Sequence, residues 1–259
     1  MNGGPADPKA LLDPRIALRL RNVGVSYQRR SGLFSRKPFW ALRDISFELR
    51  RGESLGVIGG NGAGKSTLLK VIADIIEPDL GAVERGDLHA AMLSLRIGFI
   101  PNLSGRQNAI LSGMLMGIRR REVERNMDEI IAFSGLEDFI DQHLNIYSAG
   151  MKARLGFAVA FLSDPDILLV DEALGVGDAD FKRKSSALLR EKIKSDKTVV
   201  IVSHATAQIR ALCDRVVWIE KGITKMVGSV DEVLSQYGDD EMAAPRRPRA
   251  RRARKRRPA

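Results

Sequence analysis

The apolar residues of this chain fall into short continuous runs that alternate with stretches of helical spacing. The run Ser54 to Ile58 is bounded by glycines, and Asp166 to Asp171 and Lys197 to Val202 are runs of the same kind. Such runs are typical of strands that are buried on both faces of a sheet. Thr67 to Ile76 instead has the apolar spacing of a helix. The pattern therefore predicts an α/β fold.

Three further patterns describe other parts of the chain. Gly222 turns a predicted hairpin between Arg215 to Glu220 and Ile223 to Val227. Ser229 to Glu232 reads S-V-D-E, a capping box that would start the last helix. The segment Gln28 to Trp40 is basic and contains glycine and proline. We predict that this segment is an extended loop of an antiparallel β subdomain.

Length and composition are those of one globular domain. With 259 residues, of which 44% are hydrophobic, the chain can bury one sizeable core. We predict a single domain over residues 1–240 and a tail over residues 241–259. Cys213 is the single cysteine, which excludes a disulfide framework and a cysteine metal site. We interpret it as a buried apolar residue.

Basic charge is concentrated in the predicted tail. Residues 246–257 contain eight arginines and one lysine, which leaves 33 of the 42 basic residues against 32 acidic residues in the remainder. A segment of Pro, Ala and Arg cannot build a core, so we expect the tail to be disordered. Anionic lipid, nucleic acid and simple solubilisation remain open as its role, with nucleic acid the less favoured partner.

A second basic cluster is predicted to start a helix. Arg119 to Arg121 precede apolar positions at helical spacing, which are Met127, Ile130, Ile131 and Phe133. These apolar residues would face inward. The arginines either form a solvated face of the helix or contact a protein partner or anionic lipid.

The segment Gly59 to Ser66 reads GGNGAGKS and fills the phosphate-binding pattern G-x-x-x-x-G-K-S. It follows a predicted strand and precedes a predicted helix, a context that makes a chance match rarer. Glycines let several backbone N–H groups converge on a polyphosphate, and the helix N-terminus adds a favourable dipole. Lys65 would reach the β and γ phosphates, and Ser66 would bind Mg²⁺. The candidate nucleotide-binding residues here are Gly59, Gly60, Asn61, Gly62, Ala63, Gly64, Lys65, Ser66 and Thr67.

Two predicted strands end in side chains suited to phosphoryl transfer. Asp171 and Glu172 follow one strand, and His204 follows the other. Ligands bind beyond the carboxyl ends of the strands in open α/β sheets. Asp171 fits the carboxylate that binds Mg²⁺, Glu172 would polarise the attacking water, and His204 would contact the γ phosphate or hold that water. Taken alone, the acidic pair is also typical of a solvated strand end, and the histidine of a capped loop.

The segment Tyr147 to Leu155 reads YSAGMKARL and lies at the start of the helix that Met151 to Leu162 predicts. Ser148 is a good N-cap for this helix, so its hydroxyl and the free N–H groups of the first turn would form an anion site. Serine is equally common as a cap that binds no ligand.

The order of these elements resembles that of the ATP-binding cassette (ABC) ATPases, from about Ile16 to about Tyr237. The glycine loop, the YSAGM segment, the Asp-Glu strand and the Ser-His strand follow one another as in that family. The resemblance implies a P-loop NTPase fold with a RecA-like core, an antiparallel β subdomain and a helical subdomain at about residues 103–162. It also implies ATP and Mg²⁺ as cofactors and ATP hydrolysis as the activity.

The same resemblance assigns further residues. It implies that Tyr27 stacks on adenine, although a lone tyrosine near a strand end is often simple packing. It implies that Asp178 touches the opposing subunit. Ser148 and Gly150 would bind the γ phosphate of an ATP held by the glycine loop of a second subunit. Because the chain has one copy of each element, we expect a homodimer that closes with ATP and opens after hydrolysis.

Departures from the usual family pattern indicate a branch of the family. The glutamine that many ABC ATPases carry after the glycine loop would fall near Leu95, where none is found, so Asn102 or backbone groups would take its role. The YSxGMxxRL form of the signature, the GFxPxLxGRxN segment from Gly98 to Asn108 and the GVGDADF turn resemble the exporters of bacterial polysaccharides. Their cargoes are O-antigen, capsule and teichoic acid precursors.

These features predict an ATP-hydrolysing subunit that serves the export of polysaccharide or lipid-linked glycan. The family implies integral-membrane permease subunits as partners, docked against the helical subdomain. No apolar run approaches the ~18 residues of a membrane span, and residues 1–10 lack a secretory signal. We therefore expect a peripheral protein on the cytoplasmic face of the cell membrane. The alternatives are another ABC exporter, for lipid or drug, and a soluble ABC ATPase acting on nucleic acid.

Overall fold

The computed structural model describes residues 13–30, 36–86, 88–93, 98–162, 165–171, 179–195 and 197–243. The strands in these ranges are β1 (Ile16–Arg30), β2 (Arg36–Arg50), β3 (Ser54–Ile58), β4 (Leu80–Arg85), β5 (Ala90–Leu93), β6 (Ile167–Asp171), β7 (Thr198–Val202), β8 (Arg215–Glu220) and β9 (Ile223–Ser229). The α-helices are α1 (Lys65–Ile72), α2 (Gly105–Leu115), α3 (Arg120–Arg125), α4 (Met127–Ser134), α5 (Ala149–Leu162), α6 (Ala179–Lys194), α7 (Thr206–Leu212) and α8 (Val230–Ala243). None of these helices is long and apolar enough to cross a membrane.

The strands form one sheet in the order β4-β1-β2-β9-β8-β3-β7-β6-β5. From β8 to β5 every neighbouring pair is parallel. All residues of β3 and β7 are buried, as expected for central strands with both faces covered. The continuous apolar runs therefore predicted these strands correctly, and the α/β fold class is confirmed.

Two hydrophobic cores lie on opposite faces of the sheet, and β7 contributes to both. Val199 and Ile201 join a cluster that contains the apolar residues of α5. Val200 and Val202 join a second cluster that contains the apolar residues of α1, β1 and β2. This alternation follows from the two-residue period of a strand. The first core holds the helical side of the molecule against the sheet, and the second holds the glycine loop and its helix.

The antiparallel part of the sheet is more extensive than the sequence predicted. β1 pairs antiparallel with β2 on one side and with β4 on the other. Gln28 lies opposite Pro38, and Tyr27 lies opposite Phe39, so most of the predicted loop from Gln28 to Trp40 is strand. Pro38 is tolerated because the one pair that joins β2 to its other neighbour, β9, lies further along, at Asp44.

The helical region comprises α2 to α5, residues 105–162. The single helix predicted from Arg119 is two helices, because Asn126 leaves helical geometry with φ −92° and ψ 7° between α3 and α4. Asparagine is a weak helix former, and it ends α3 here. Met127 and Ile130 are buried, as predicted. Arg119, Arg120 and Arg121 are exposed.

Cys213 follows α7 and is half-buried beneath the central sheet. A Cβ added at Gly56 of β3 would lie 3.2 Å from its Sγ atom. Burial, with a smaller effect from the charge of Asp214, raises the pKa of the Cys213 thiol to about 12. The thiol is therefore neutral at physiological pH and packs as a small apolar group, although it is half-buried where the sequence predicted a buried residue.

Candidate active site

The glycine loop connects β3 to α1, and at Gly59 and Gly64 both the backbone angle and the close neighbours require glycine. Gly59 has φ 150° and Gly64 has φ 106°. A side chain at Gly59 would overlap the carbonyl oxygen of Ile219. A Cβ at Gly64 would lie 2.5 Å from the carbonyl oxygen of Ala41. Gly64 is the N-cap of α1 and forms no side-chain cap, so the first N–H groups of the helix remain available to an anion.

Lys65 lies inside this loop with only 7% of its surface exposed. Its ammonium donates to the carbonyl oxygens of Gly59 at 2.7 Å and Gly60 at 3.2 Å. The Nζ atom also lies 3.4 Å from Nε2 of His204. The loop thus folds around the lysine, and places its positive charge among the N–H groups that would face a polyphosphate. The other predicted residues of the loop are exposed at Gly60, Asn61, Gly62 and Ser66, half-buried at Gly64 and Thr67, and buried at Gly59 and Ala63.

Ser66 and Asp171 lie together although they are far apart in sequence. Ser66 is the second residue of α1, and its Oγ donates to Oδ2 of Asp171 at 3.4 Å. Asp171 is the last residue of β6, and one strand, β7, separates β6 from β3. A hydroxyl and a carboxylate oxygen are ligands that Mg²⁺ accepts, and Mg²⁺ takes its remaining ligands from water and substrate phosphates. The pair therefore fits the role that the sequence assigned to it.

His204 follows β7 and is exposed at the same edge of the sheet. Ser203 before it is buried, and its Oγ accepts a hydrogen bond from the backbone N–H of Ala205 at 3.1 Å. The same hydroxyl donates to the side chain of Gln208 at 3.0 Å. Ser203 thus fixes the turn that carries His204 beside Lys65. Sequence reasoning named only the histidine and missed the serine that orients it.

The turn between β8 and β9 supports the glycine loop, which sequence reasoning also missed. Lys221 and Gly222 both have positive φ, 49° and 79°, as a tight hairpin requires. The N–H of Gly222 donates to the carbonyl oxygen of Ala63 at 3.0 Å. Its carbonyl oxygen accepts from the N–H of Arg43 in β2 at 2.7 Å. Gly222 therefore joins the glycine loop to the antiparallel part of the sheet. In the sequence, this residue indicated the hairpin turn but not its contact with the loop.

Tyr27 lies on β1 in an exposed aromatic pair. It is 40% exposed, and its cross-strand partner Phe39 is 49% exposed. Phe39 is two residues from Ala41, whose carbonyl oxygen lies against Gly64. The pair thus occupies the strands that border the glycine loop. Stacking of Tyr27 on adenine stays a prediction.

Ser148 and Gly150 lie at the exposed N-terminal end of α5. The Oγ atom of Ser148 accepts a hydrogen bond from the backbone N–H of Met151 at 3.1 Å. This is the geometry of an N-cap. A Cβ added at Gly150 would lie 3.7 Å from the same oxygen. The helix end is therefore ordered by Ser148 and open in front of Gly150, so an anion could approach the first turn.

Some predicted residues lie outside the described ranges. These are Glu172, Asp178 and Leu95, together with residues 244–259 of the predicted tail. Residues 241–243, which were predicted to belong to that tail, are instead the end of α8. Asn102, which the sequence offers in place of the missing glutamine, is exposed in the turn between Ile100 and Leu103. The roles of all four positions and of the tail remain predictions.

Comparison with known proteins gives the family. The ABC transporter family model matches residues 42–175. The chain is 43% identical over 205 residues to an O-antigen export system ATP-binding protein of Klebsiella pneumoniae, across 79% of this chain and 83% of that protein. It is 46% identical over 202 residues to a teichoic acids export ATP-binding protein of Lactococcus lactis, across 78% of this chain and 43% of that protein. The fold is similar to that of the ATP-binding cassette MJ0796, solved as a dimer with ADP and Pi, with a TM-score of 0.67 and 23% identity across 82% of this chain and 98% of that one.

A glycine loop that encloses a lysine, beside a serine–aspartate pair at one sheet edge, defines a P-loop nucleotide-hydrolysing protein. Within that class, the chain belongs to the ABC transporter family and is an ATP-binding, ATP-hydrolysing subunit. The resemblance predicted from the order of the motifs is thus confirmed, as is the P-loop NTPase fold.

Proposed function

We propose that this chain supplies the ATP hydrolysis that drives export of a polysaccharide or lipid-linked glycan across the cytoplasmic membrane. The observation that carries the proposal is the 43% identity to an O-antigen export ATP-binding protein over most of both chains. The teichoic acids export relative adds a second polysaccharide cargo at 46% identity. Both relatives agree with the branch that Tyr147, Met151 and Arg154 predicted from the signature segment.

Each side chain of the site has a separate task in this proposal. Lys65 and the N–H groups of the loop bind the β and γ phosphates, and Tyr27 stacks on the adenine. Ser66 and Asp171 hold Mg²⁺, which when bound offsets the negative charge of the phosphates. Glu172 accepts the proton of the attacking water, and His204 keeps that water and the γ phosphate in place.

Two copies of the chain complete the site. Ser148 and Gly150 lie on the helical region, whereas Lys65 and Ser66 lie on the loop after β3. In the proposed homodimer, the N-terminal end of α5 in one copy faces the loop of the other, with Asp178 at the contact. The related cassette MJ0796 is a dimer in a post-hydrolysis state with ADP and Pi. ATP binding then favours the closed dimer because it interacts with both copies.

The membrane partners are proposed from the same relatives. Their names describe parts of export systems, so we propose integral-membrane permease subunits that dock against residues 103–162. The chain would lie peripherally on the cytoplasmic face of the cell membrane. ATP closes the dimer of ATPase subunits, and this closure favours one of two arrangements of the whole complex. The permease moves when the population of complexes shifts to that arrangement.

Exchange of Glu172 for Gln tests the hydrolytic role. Glu172→Gln should reduce ATP turnover about 100-fold or more, because the base is lost, while ATP-dependent dimers persist. Turnover is measured by phosphate release and dimers by light scattering with and without ATP. Glu191→Gln changes an exposed carboxylate of α6 and serves as the matched control. Turnover of Glu172→Gln near that of the control would contradict the assignment of the base.

Deletion of the gene tests the cargo. Cells that lack the chain should accumulate lipid-linked glycan inside and lose surface polysaccharide, since synthesis continues without export. Complementation with the wild-type gene should restore export, and complementation with Glu172→Gln should not. Normal surface polysaccharide without internal accumulation would favour another exporter, for lipid or drug.

A further inference from the structure

Tyr147 precedes the phosphate-facing Ser148 and its side chain points into the protein. It is only 4% exposed, and its hydroxyl donates to the carbonyl oxygen of Phe139 at 2.6 Å. Burial, with a smaller effect from the charge of Asp141, raises the pKa of the Tyr147 hydroxyl to about 12. The hydroxyl is therefore a hydrogen-bond donor throughout the physiological pH range.

The ring of Tyr147 fills space that a side chain at Gly105 would need. Gly105 is the first residue of α2. A Cβ added there would overlap the Tyr147 hydroxyl and lie 2.8 Å from the carbonyl oxygen of Ile140. Tyr147, two residues before α5, thus packs directly on the beginning of α2. Gly105 and Tyr147 therefore pack against each other, although 42 positions separate them in the sequence.

Backbone hydrogen bonds join the same two segments. The chain before and at the start of α2 pairs with the chain before α5 through four bonds. They run from Gly105 N to Gln142 O at 3.1 Å, Arg106 N to Ile140 O at 2.8 Å, Leu144 N to Leu103 O at 2.9 Å and Asn145 N to Pro101 O at 2.9 Å. Tyr147 adds a side-chain contact at the end of this ladder that is formed by Gly105 and Ile140. The chain just before α5 is therefore joined to the beginning of α2 by both backbone and side-chain contacts.

We propose that Tyr147 is a positioning residue for ATP hydrolysis, which holds Ser148 and the first turn of α5 in the orientation that meets ATP bound to a second copy of the chain. It acts through the backbone, because Ser148 follows it directly and caps the helix through the N–H of Met151 at 3.1 Å. This inference rests on the proposed function, since it needs Ser148 to contact a phosphate in the dimer. It identifies Tyr147 as a functional residue that does not touch the nucleotide, and it explains why a tyrosine occupies this position.

Steady-state ATP hydrolysis by the full-length chain tests the role. Tyr147→Leu removes both the ring and the hydroxyl, and should raise the KM for ATP about fivefold while kcat changes less than about twofold. Binding across the dimer weakens, whereas Lys65 and Glu172 are unaltered. Tyr147→Phe keeps the ring and loses only the hydroxyl, so it should show a smaller rise in KM. This conservative variant also retains the packing needed to fold.

Two further variants separate positioning from general stability. Val123→Ala truncates a buried side chain of the same helical region, so it should lower Tm and leave KM unchanged. Gly105→Ala should raise KM because its methyl group displaces Tyr147. Combined with Tyr147→Leu, it should raise KM by less than the product of the single effects, because the overlap with the hydroxyl is gone.

The outcomes distinguish this role from the proposed function. An unchanged KM in Tyr147→Leu and Gly105→Ala, with normal hydrolysis by the wild-type chain, would overturn the positioning role alone. An equal rise of KM in Val123→Ala would also overturn it, because loss of stability would then explain the effect. Absence of ATP hydrolysis and of ATP-dependent dimers in the wild-type chain would overturn the proposed function, and the positioning role with it.

Discussion

The hydroxyl of Ser66 lies 3.4 Å from the carboxylate of Asp171. The two residues reach this contact from separate segments, one from the loop after β3 and one from the end of β6. They meet because β3, β7 and β6 are parallel neighbours, so their carboxyl ends share one edge of the sheet. The contact thus joins the phosphate-binding loop to the acidic strand.

Replacement of Asp171 by Asn tests the metal role of this pair. Asp171→Asn should lower ATP hydrolysis about 100-fold, because a neutral amide is a poorer Mg²⁺ ligand than a carboxylate. Binding of ADP in the absence of Mg²⁺, measured by calorimetry, should be unchanged. Asp166→Asn, just before β6 at its opposite end, is the control; Asp166 accepts the backbone N–H of His89 at 2.8 Å. Equal loss of activity in both variants would contradict a specific metal role.

Two glycines of the same loop should differ sharply in their tolerance of alanine. Gly64 has φ 106°, and a Cβ there would lie 2.5 Å from the carbonyl oxygen of Ala41 and 2.6 Å from the side chain of Leu42. We expect Gly64→Ala to destabilise the fold by about 2 kcal/mol. Gly60 has nothing within 4 Å of an added Cβ, so Gly60→Ala should leave Tm within about 1 °C of wild type. Thermal unfolding without nucleotide compares the two, and equal Tm values would contradict the described loop.

The central strands could be predicted because burial leaves a local trace in the sequence. A run such as Val199 to Val202 is apolar at every position because both faces of its strand are covered. The sequences of β1 and β2 contain no comparable local pattern that shows how far these strands extend. Pairing of Gln28 with Pro38 depends on a partner strand, and the local composition of basic residues, glycine and proline is that of a loop. Strand pairing overrode that composition.

The candidate site shows the same division between local and distant signals. Residues that act within one motif, such as Lys65 and Ser66, could be named from spacing alone. Gly222 supports the loop through the carbonyl oxygen of Ala63, yet its sequence indicates only a hairpin turn and not what the turn packs against. Tyr147 was noticed as a departure from the family pattern, but its contact with Gly105 required the fold.

An ion pair of the helical region should give a pH-dependent part of the stability. Nε of Arg106 donates to Oδ1 of Asp141 at 2.7 Å, and Nη2 donates to Oδ2 at 3.0 Å. These hydrogen bonds hold the pKa of the Asp141 carboxyl below its ordinary value of 3.8. A pKa that is lower in the folded state contributes stability above 3.8, and that contribution is lost as the pH falls through the folded value. Asp141 is largely exposed and Arg106 is half-buried, so solvent screens the ion pair and the effect is small.

Thermal unfolding across pH checks this sign. Asp141→Asn should have a lower Tm than wild type at neutral pH, and the difference should shrink as the pH falls below 3.8, where wild-type Asp141 becomes protonated. Asp138→Asn, an exposed carboxylate three residues away, serves as the control and should show no such pattern. A difference between Asp141→Asn and wild type that grows in acid would contradict the depressed pKa.

Contact with an anionic membrane is predicted for the basic tail, and the exposed arginines at the start of α3 are an alternative site for it. Removal of residues 246–259 deletes eight arginines and one lysine, so binding to vesicles that contain anionic lipid should fall strongly, since each basic residue near the surface contributes about 1 kcal/mol. Replacement of Arg119, Arg120 and Arg121 by glutamine tests the second route. Sedimentation with neutral vesicles controls for binding that does not depend on charge. If the tail deletion binds anionic vesicles as well as the full chain does, the tail acts only as a solubilising segment. Weaker vesicle binding by the triple variant would then assign the lipid contact to the start of α3.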